Sequence, residues 1–92
     1  DYASFFQKKM KKAIFTNCQM RETDFTETDL SAAVFNGCDL RNAVFMLTKL
    51  EKTDFRKAIN YVLDPEKNLL KKTRFSFAGL PGLLAKYDIE IE

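Results

Sequence analysis

One period constrains this chain more than any other feature. From Phe5 to Phe55 every fifth residue is large and apolar: Phe5, Met10, Phe15, Met20, Phe25, Leu30, Phe35, Leu40, Phe45, Leu50, Phe55. Phe alternates with Leu or Met throughout. Two positions before each rung sits a small residue, as at Ala13, Cys18, Thr23, Thr28, Ala33, Cys38, Ala43, Thr48, Thr53 and Ala58. An α-helix repeats every 3.6 residues and a strand every two, so neither produces a period of five. A fixed short period is the mark of a solenoid, in which each unit stacks on its neighbour.

In each pentad two side chains point inward and three outward, so the chain must turn after every unit to bring the next rung in. If four units close one turn, the coil is twenty residues long and roughly square. Each coil then lies about 4.8 Å above the last and is bonded to it as in a parallel sheet. This register stacks Phe5, Phe25 and Phe45 on one face and Phe15, Phe35, Phe55 and Phe75 on the opposite face. Met10, Leu30, Leu50 and Leu70 form one intervening column. Met20 and Leu40 form the other, with Leu80 beyond them. Phe35→Ala is expected to cost what a core truncation costs.

Composition narrows the chemistry. The 92 residues suffice for one domain. A globular domain of this size is marginal, and stacking coils on one continuous core avoids part of that difficulty. Histidine is absent, which removes the commonest general base and metal ligand. Cys18 and Cys38 fall on small-residue positions one coil apart and read as buried reduced thiols; two thiols without histidine make no zinc set. The net charge of +2 neither demands nor excludes a polyanionic partner. No apolar run reaches the length of a membrane span and no secretory segment is present, so the expectation is a soluble, cytoplasmic chain. It begins at Asp1 rather than Met, as a fragment of a longer protein would.

Along the chain, residues 1–10 keep the register at Ala3 and Phe5, but Lys8 takes a position that should be small. Either this coil is distorted or Lys8 lies near an open end. Residues 13–59 are nearly regular. Residues 60–68 break the repeat, because Pro65 falls where a rung is due and Asp64-Pro65 is a turn signal. This loop is expected to lay Tyr61, Val62 and Leu63 over Val44, Met46 and Leu47. Coil pairing then resumes at Leu70 and Phe75, giving a repeat region over 1–77. Residues 78–87 (AGLPGLLAKY) read as a short helix with Pro81 in its first turn, capping the open end. Residues 88–92 alternate charge and Ile and read as a strand. Leu80, Leu83, Leu84, Ile89 and Ile91 form a candidate homodimer surface.

Units such as TDFTE, TDLSA, CDLRN and TDFRK resemble the repeats of the pentapeptide-repeat proteins, densely over 13–59 and in register over 3–80. The resemblance implies an all-β fold, a right-handed quadrilateral parallel β-helix. The stretch NYVLDPEKNLLKKTRFS and the GLLAKYDIEIE that follows are similar to the C-terminal end of bacterial members, including the quinolone-resistance (Qnr-like) branch. That branch is thought to bind DNA gyrase by mimicking duplex DNA, and its C-terminal module joins two stacks end to end.

Two outward sets of charges are the candidate interaction residues. Glu22, Asp24, Glu27, Asp29 and Asp39 are the acids over 22–40 that a DNA mimic would use, although Asp24, Asp29, Asp39 and Asp54 stand where hydrogen bonds to turn backbone are the simpler role. Lys9, Lys11, Lys12, Lys49, Lys52, Lys71 and Lys72 collect on one face against Asp29 and Glu51. That stripe has the wrong sign for DNA mimicry; it protects sheet edges from aggregation, or meets an acidic partner or a nucleic-acid backbone. Catalysis has little support, since no nucleophile–base pair, paired-carboxylate site or phosphate loop can be assembled. The expectation is a non-enzymatic interaction scaffold with a protein partner, no cofactor, no metal, no membrane and no small-molecule substrate.

Overall fold

The computed structural model describes residues 2–92. Wherever one coil pairs with the next, the step is twenty residues, apart from a bulge at Asn36↔Lys57. Three strands form a parallel sheet in the order β1 (Ile14–Thr16), β2 (Val34–Asp39), β3 (Asp54–Ile59). The other pairings are single parallel bridges: Ser4 to Asp24 to Val44, Lys9 to Asp29 to Lys49 to Leu69, and Gln19 to Asp39. With the sheet, they make four columns of parallel pairing, and the chain is a β-helical solenoid.

The pentads turn for a local reason. The carbonyl of a rung accepts the amide three residues on, as in Lys8 N to Phe5 O at 2.8 Å, Ala33 N to Leu30 O at 2.9 Å and Thr53 N to Leu50 O at 3.0 Å. The third residue of these turns is left-handed, with φ between 55° and 64° at Gln7, Lys12, Glu22, Glu27, Ala32, Asn42, Lys52 and Lys72. A residue with a Cβ pays roughly 1–2 kcal/mol for that conformation. The same turn residues donate to the next coil, as Lys12 N does to Ser31 O at 2.9 Å and Ala32 N to Glu51 O at 2.8 Å. The strain is thus offset by a bond that only the stacked coil supplies.

Phenylalanine rings fill the interior in two columns. Phe5, Phe25 and Phe45 stack with centroids 5.4 and 5.1 Å apart, and Phe15, Phe35, Phe55 and Phe75 stack at 5.0, 5.2 and 5.5 Å. Across the core the two columns meet edge to face, Phe25 with Phe35 at 5.7 Å and Phe45 with Phe55 at 5.6 Å. Phe25, Leu30, Phe35, Leu40, Leu50 and Phe55 are fully buried and Met20 and Phe45 nearly so. Phe15, Leu70 and Phe75, towards the ends of the stack, are half-buried against them. Lys8 is exposed, and its coil keeps its bonds through Asp29 N to Lys8 O at 3.0 Å.

The C-terminal part departs from the sequence expectations in four ways. Residues 78–87 form no α-helix: the chain makes 3₁₀ turns at Phe77–Leu83 and Ala85–Tyr87, with Pro81 inside the first rather than at its start. Gly79, Pro81 and Gly82 in one seven-residue stretch are poor α-helix formers, and proline removes a donor. Residues 88–92 form no strand; Asp88 is left-handed at φ 50° and the segment lies exposed. Leu80 is exposed and not a core rung, because the chain leaves the coil at Ser76; Leu83 packs against the core instead.

The fourth difference lies in the 60–68 loop. Tyr61 and Leu63 turn into the core, Val62 stays exposed, and Val44 and Leu47 remain 45% and 62% exposed. Tyr61 lies 5.2 Å from the Phe55 ring and 5.8 Å from that of Phe75, extending the aromatic column where the ladder has lost its rung at Asn60. Gly79 makes this possible, since a Cβ there would fall 1.7 Å from the Tyr61 hydroxyl. The loop gains and loses no residue overall, because Asp39↔Ile59 and Lys49↔Leu69 both step by twenty.

Candidate interaction surfaces

With the rungs inside, chemistry is left to the residues that face out. Four of the acids singled out in the sequence are held by their own turns. Asp24 Oδ1 accepts the Thr26 amide at 2.9 Å, Asp29 the Ser31 amide at 3.0 Å, Asp39 the Arg41 amide at 3.1 Å and Asp54 the Arg56 amide at 2.9 Å. Asp39 also accepts from Asn60 Nδ2 at 2.9 Å on the next coil. The arrangement follows from position: the residue before each rung can reach the amide two residues on, and a short carboxylate satisfies it. Hydrogen bonding from Ser31 holds Asp29 below the usual carboxylate range, Asn60 does the same for Asp39, and Arg56 for Asp54. These carboxylates are fixed in place and ionised at neutral pH. Glu22 is half-buried, and the exposed Glu27 accepts from Gln7 Nε2 at 3.3 Å. The acids therefore fall in several columns rather than one, with Asp24, Asp29 and Asp39 each in a different column of bridges.

The lysines gather more tightly. Lys9, Asp29 and Lys49 pair in one column of bridges. Immediately after it in each coil, Lys12 donates its amide to Ser31 and Lys52 donates to Lys71. Lys9, Lys11, Lys12, Lys49, Lys52, Lys71 and Lys72 are all exposed along this side. Lys49 and Lys11 add to the lowering of Asp29 after its hydrogen bonds to Ser31.

Of the candidate dimer residues, Leu80, Leu84, Ile89 and Ile91 are exposed and Leu83 is drawn against the core. The 3₁₀ segment is anchored by the Ser76 side chain, which accepts from Gly79 N at 3.2 Å, and by Lys86, which bonds Asp64 at 3.0 Å and also Glu66. Those two carboxylates, Glu66 foremost, hold Lys86 well above the usual ammonium range. Between this segment and the last full coil runs a groove of about 1040 Å³. Its charged lining groups are Arg41, Arg56 and Lys57, with no acid among them. Sequence reasoning missed this groove because it arises where the ladder fails.

It also missed a polar ladder inside the wall. The small residue before a rung reaches the rung carbonyl one coil back: Thr28 Oγ1 donates to Phe5 O at 2.7 Å, Thr48 to Phe25 O at 2.8 Å, Thr53 to Leu30 O at 2.8 Å and Thr73 to Leu50 O at 2.6 Å. The Cys38 thiol lies in the same place, 3.3 Å from Phe15 O, and burial pushes it up from its ordinary pKa. Asn68 replaces a threonine in this ladder. Its side chain donates to Phe45 O at 3.1 Å and accepts the Thr48 amide at 3.0 Å, restoring bonds that the 60–68 irregularity would lose.

Among the described residues no group of His, Cys, Asp or Glu is placed to hold a metal ion, and no helix is long and apolar enough to cross a membrane. What the geometry defines is a repeat scaffold with charged outer columns. The model of the pentapeptide repeats matches the chain in eight copies over residues 9–42 and 23–59. The chain belongs to the pentapeptide-repeat family. No curated protein sequence matches it. Among solved structures, two trypsin-treated variants of QnrB1, a plasmid-mediated fluoroquinolone resistance protein, are similar at 16% identity with TM-scores of 0.46 and 0.45. The match covers 97% and 100% of this chain and 45% and 44% of those, so the chain spans less than half the length of these neighbours.

Proposed function

We propose that this chain is a non-enzymatic protein-interaction scaffold, a right-handed quadrilateral β-helix that presents fixed charges to a protein partner. One observation carries the reading: Asp24, Asp29 and Asp39 are acids locked to turn amides on three faces of one rigid coil, in a run from 22 to 40 that holds no Lys or Arg. Fixed carboxylates held by a rigid wall suit a surface that ordinarily receives phosphates. The resemblance of residues 60–92 to the Qnr-like branch supplies the partner, a DNA gyrase in the cytoplasm. Two copies join through residues 78–92. The test is gyrase supercoiling with a quinolone present. Protection that is lost when Glu22, Asp24, Glu27, Asp29 and Asp39 become Asn or Gln supports the reading, and no protection at high protein excess overturns it.

A second reading is favoured by the lysine column. Exposed Lys12, Lys49, Lys52, Lys71 and Lys72 on one side suit a nucleic-acid backbone or an acidic protein. A salt-dependent shift of duplex DNA, abolished when Lys49, Lys52, Lys71 and Lys72 become Glu, would select it over the first.

A further inference from the structure

The last strand of the sheet is left half-open. Its neighbour on one side is β2, while on the other its backbone pairing among the described residues is confined to Asp54↔Arg74, with the bond from Phe55 N to Arg74 O at 2.8 Å. Beyond Phe75 the chain turns away into the 3₁₀ segment, and Ser76 O is taken by Gly79 N at 3.2 Å. Gln7, Lys12, Glu22, Glu27, Ala32 and Lys52 each donate an amide to the following coil. Ser76, twenty residues after Arg56 and so in place to accept from the equivalent Lys57, gives its carbonyl to Gly79 instead. The groove lies along this open edge, walled by small residues including Ala58, Ala78 and Gly82 and charged only by Arg41, Arg56 and Lys57. Arg56 is paired with Asp54 at 2.9 Å, whereas Arg41 and Lys57 carry no ion pair among the described residues.

A segment of matching character lies in the same chain. Asp88-Ile89-Glu90-Ile91-Glu92 alternates acid and aliphatic, so an extended conformation puts all three acids on one face and both isoleucines on the other. The segment is exposed, with Ile89 and Ile91 55% and 54% accessible, and forms no strand. An unpaired strand edge is a template for a further strand, and main-chain bonds then supply affinity while side chains supply specificity.

We propose that the groove beside β3 is a strand-acceptor site whose occupant is residues 88–92 of a second copy of this chain, exchanged reciprocally. The tail adds along the edge at Arg56–Ile59, its carboxylates meeting Arg41 and Lys57. The exchange is closed and two-fold, each copy giving a tail and receiving one. This deepens the proposal that residues 78–92 join two copies, and rests on it.

The test uses light scattering of the whole chain, a chain truncated after Tyr87, and a fluorescein-labelled DIEIE peptide. The whole chain is expected to be a dimer and the truncated chain a monomer that binds the peptide saturably. Arg41→Glu with Lys57→Glu should weaken peptide binding at least tenfold without changing the circular-dichroism melt, since both side chains are exposed. In the whole chain the same two changes should break the dimer, and adding Glu90→Lys and Glu92→Lys should restore it. A truncated chain that remains dimeric overturns tail exchange while leaving the joining of two copies intact. A whole chain that is monomeric at all concentrations overturns both.

Discussion

The Thr48 hydroxyl donates to the carbonyl of Phe25, one coil back, at 2.8 Å, and both groups are shut off from water inside the wall of the stack. The same carbonyl accepts the Thr28 amide at 3.1 Å, so it keeps one partner when the hydroxyl is removed. Thr48→Val preserves shape and deletes only the donor. It should therefore cost about 1 kcal/mol, the net worth of one hydrogen bond, and not the larger penalty of an orphaned group. Urea unfolding of the variant checks this; an unchanged midpoint would show that the hydroxyl ladder adds nothing to coil stacking.

Phe35 is the centre of the aromatic interior. It is fully buried, stacked on Phe15 and Phe55 and edge-on to Phe25. Phe35→Ala should cost roughly 3–5 kcal/mol. Phe75→Ala, at the half-buried end of the same column, should cost less. Equal losses at the two positions in chemical denaturation would contradict the gradient of burial along the stack.

How far the sequence disclosed this architecture depends on the period. The rungs at Phe25, Leu30, Phe35, Leu40, Leu50 and Phe55 could be read directly, since a strict five-residue spacing leaves one set of side chains facing in. The turn-capping of Asp24, Asp29, Asp39 and Asp54 was also readable, because an acid just before a rung has an amide two residues away. Between Asn60 and Leu70 the period is interrupted, and it resumes at Leu70 and Phe75. Tyr61 sits one residue off the ladder, so its place among the core rings followed from packing against Gly79 and Phe75, which no local pattern encodes. The helix expected at 78–87 is two 3₁₀ turns, because Gly79, Pro81 and Gly82 disfavour an α-helix. Thr48 and Asn68 lie twenty residues apart, so the coil spacing encodes their bond through side-chain polarity rather than size.

Tyr61 gives a prediction of opposite sign. Its hydroxyl is buried with no hydrogen-bond partner among the described residues, in the space a Gly79 side chain would fill. An unsatisfied buried hydroxyl is destabilising, so Tyr61→Phe should leave stability unchanged or raise it by about 1 kcal/mol. Gly79→Ala should expel the ring and expose the end of the core. Thermal melts of the two variants should move apart, the first flat or upward and the second downward.

Lys86 ties the C-terminal segment to the 60–68 loop through Asp64 and Glu66, and its ammonium lies 5.2 Å from the Tyr87 ring. Lys86→Met should leave unfolding of the coils unchanged while speeding amide exchange and proteolysis around residues 84–88. High salt should produce the same local loosening in the unaltered chain, since exposed pairs are screened.

Acid should weaken the stack through its turn acids. Asp29, Asp39, Asp54 and Asp64 all sit below the ordinary value of 3.8, each held there by hydrogen bonds to its charged form. A carboxylate with a lowered folded pKa binds protons less readily in the folded chain than in the unfolded one. Its contribution is therefore complete above the unfolded value and is lost as pH falls through the folded one. Stability should be flat from neutral pH down to about 5 and decline below 4. Asp54→Asn keeps an oxygen for the Arg56 amide but cannot titrate, so its decline should be shallower than that of the parent chain. Parallel curves for the two would mean that Asp54 carries no proton linkage, and the acid response would then belong to the other three turn acids.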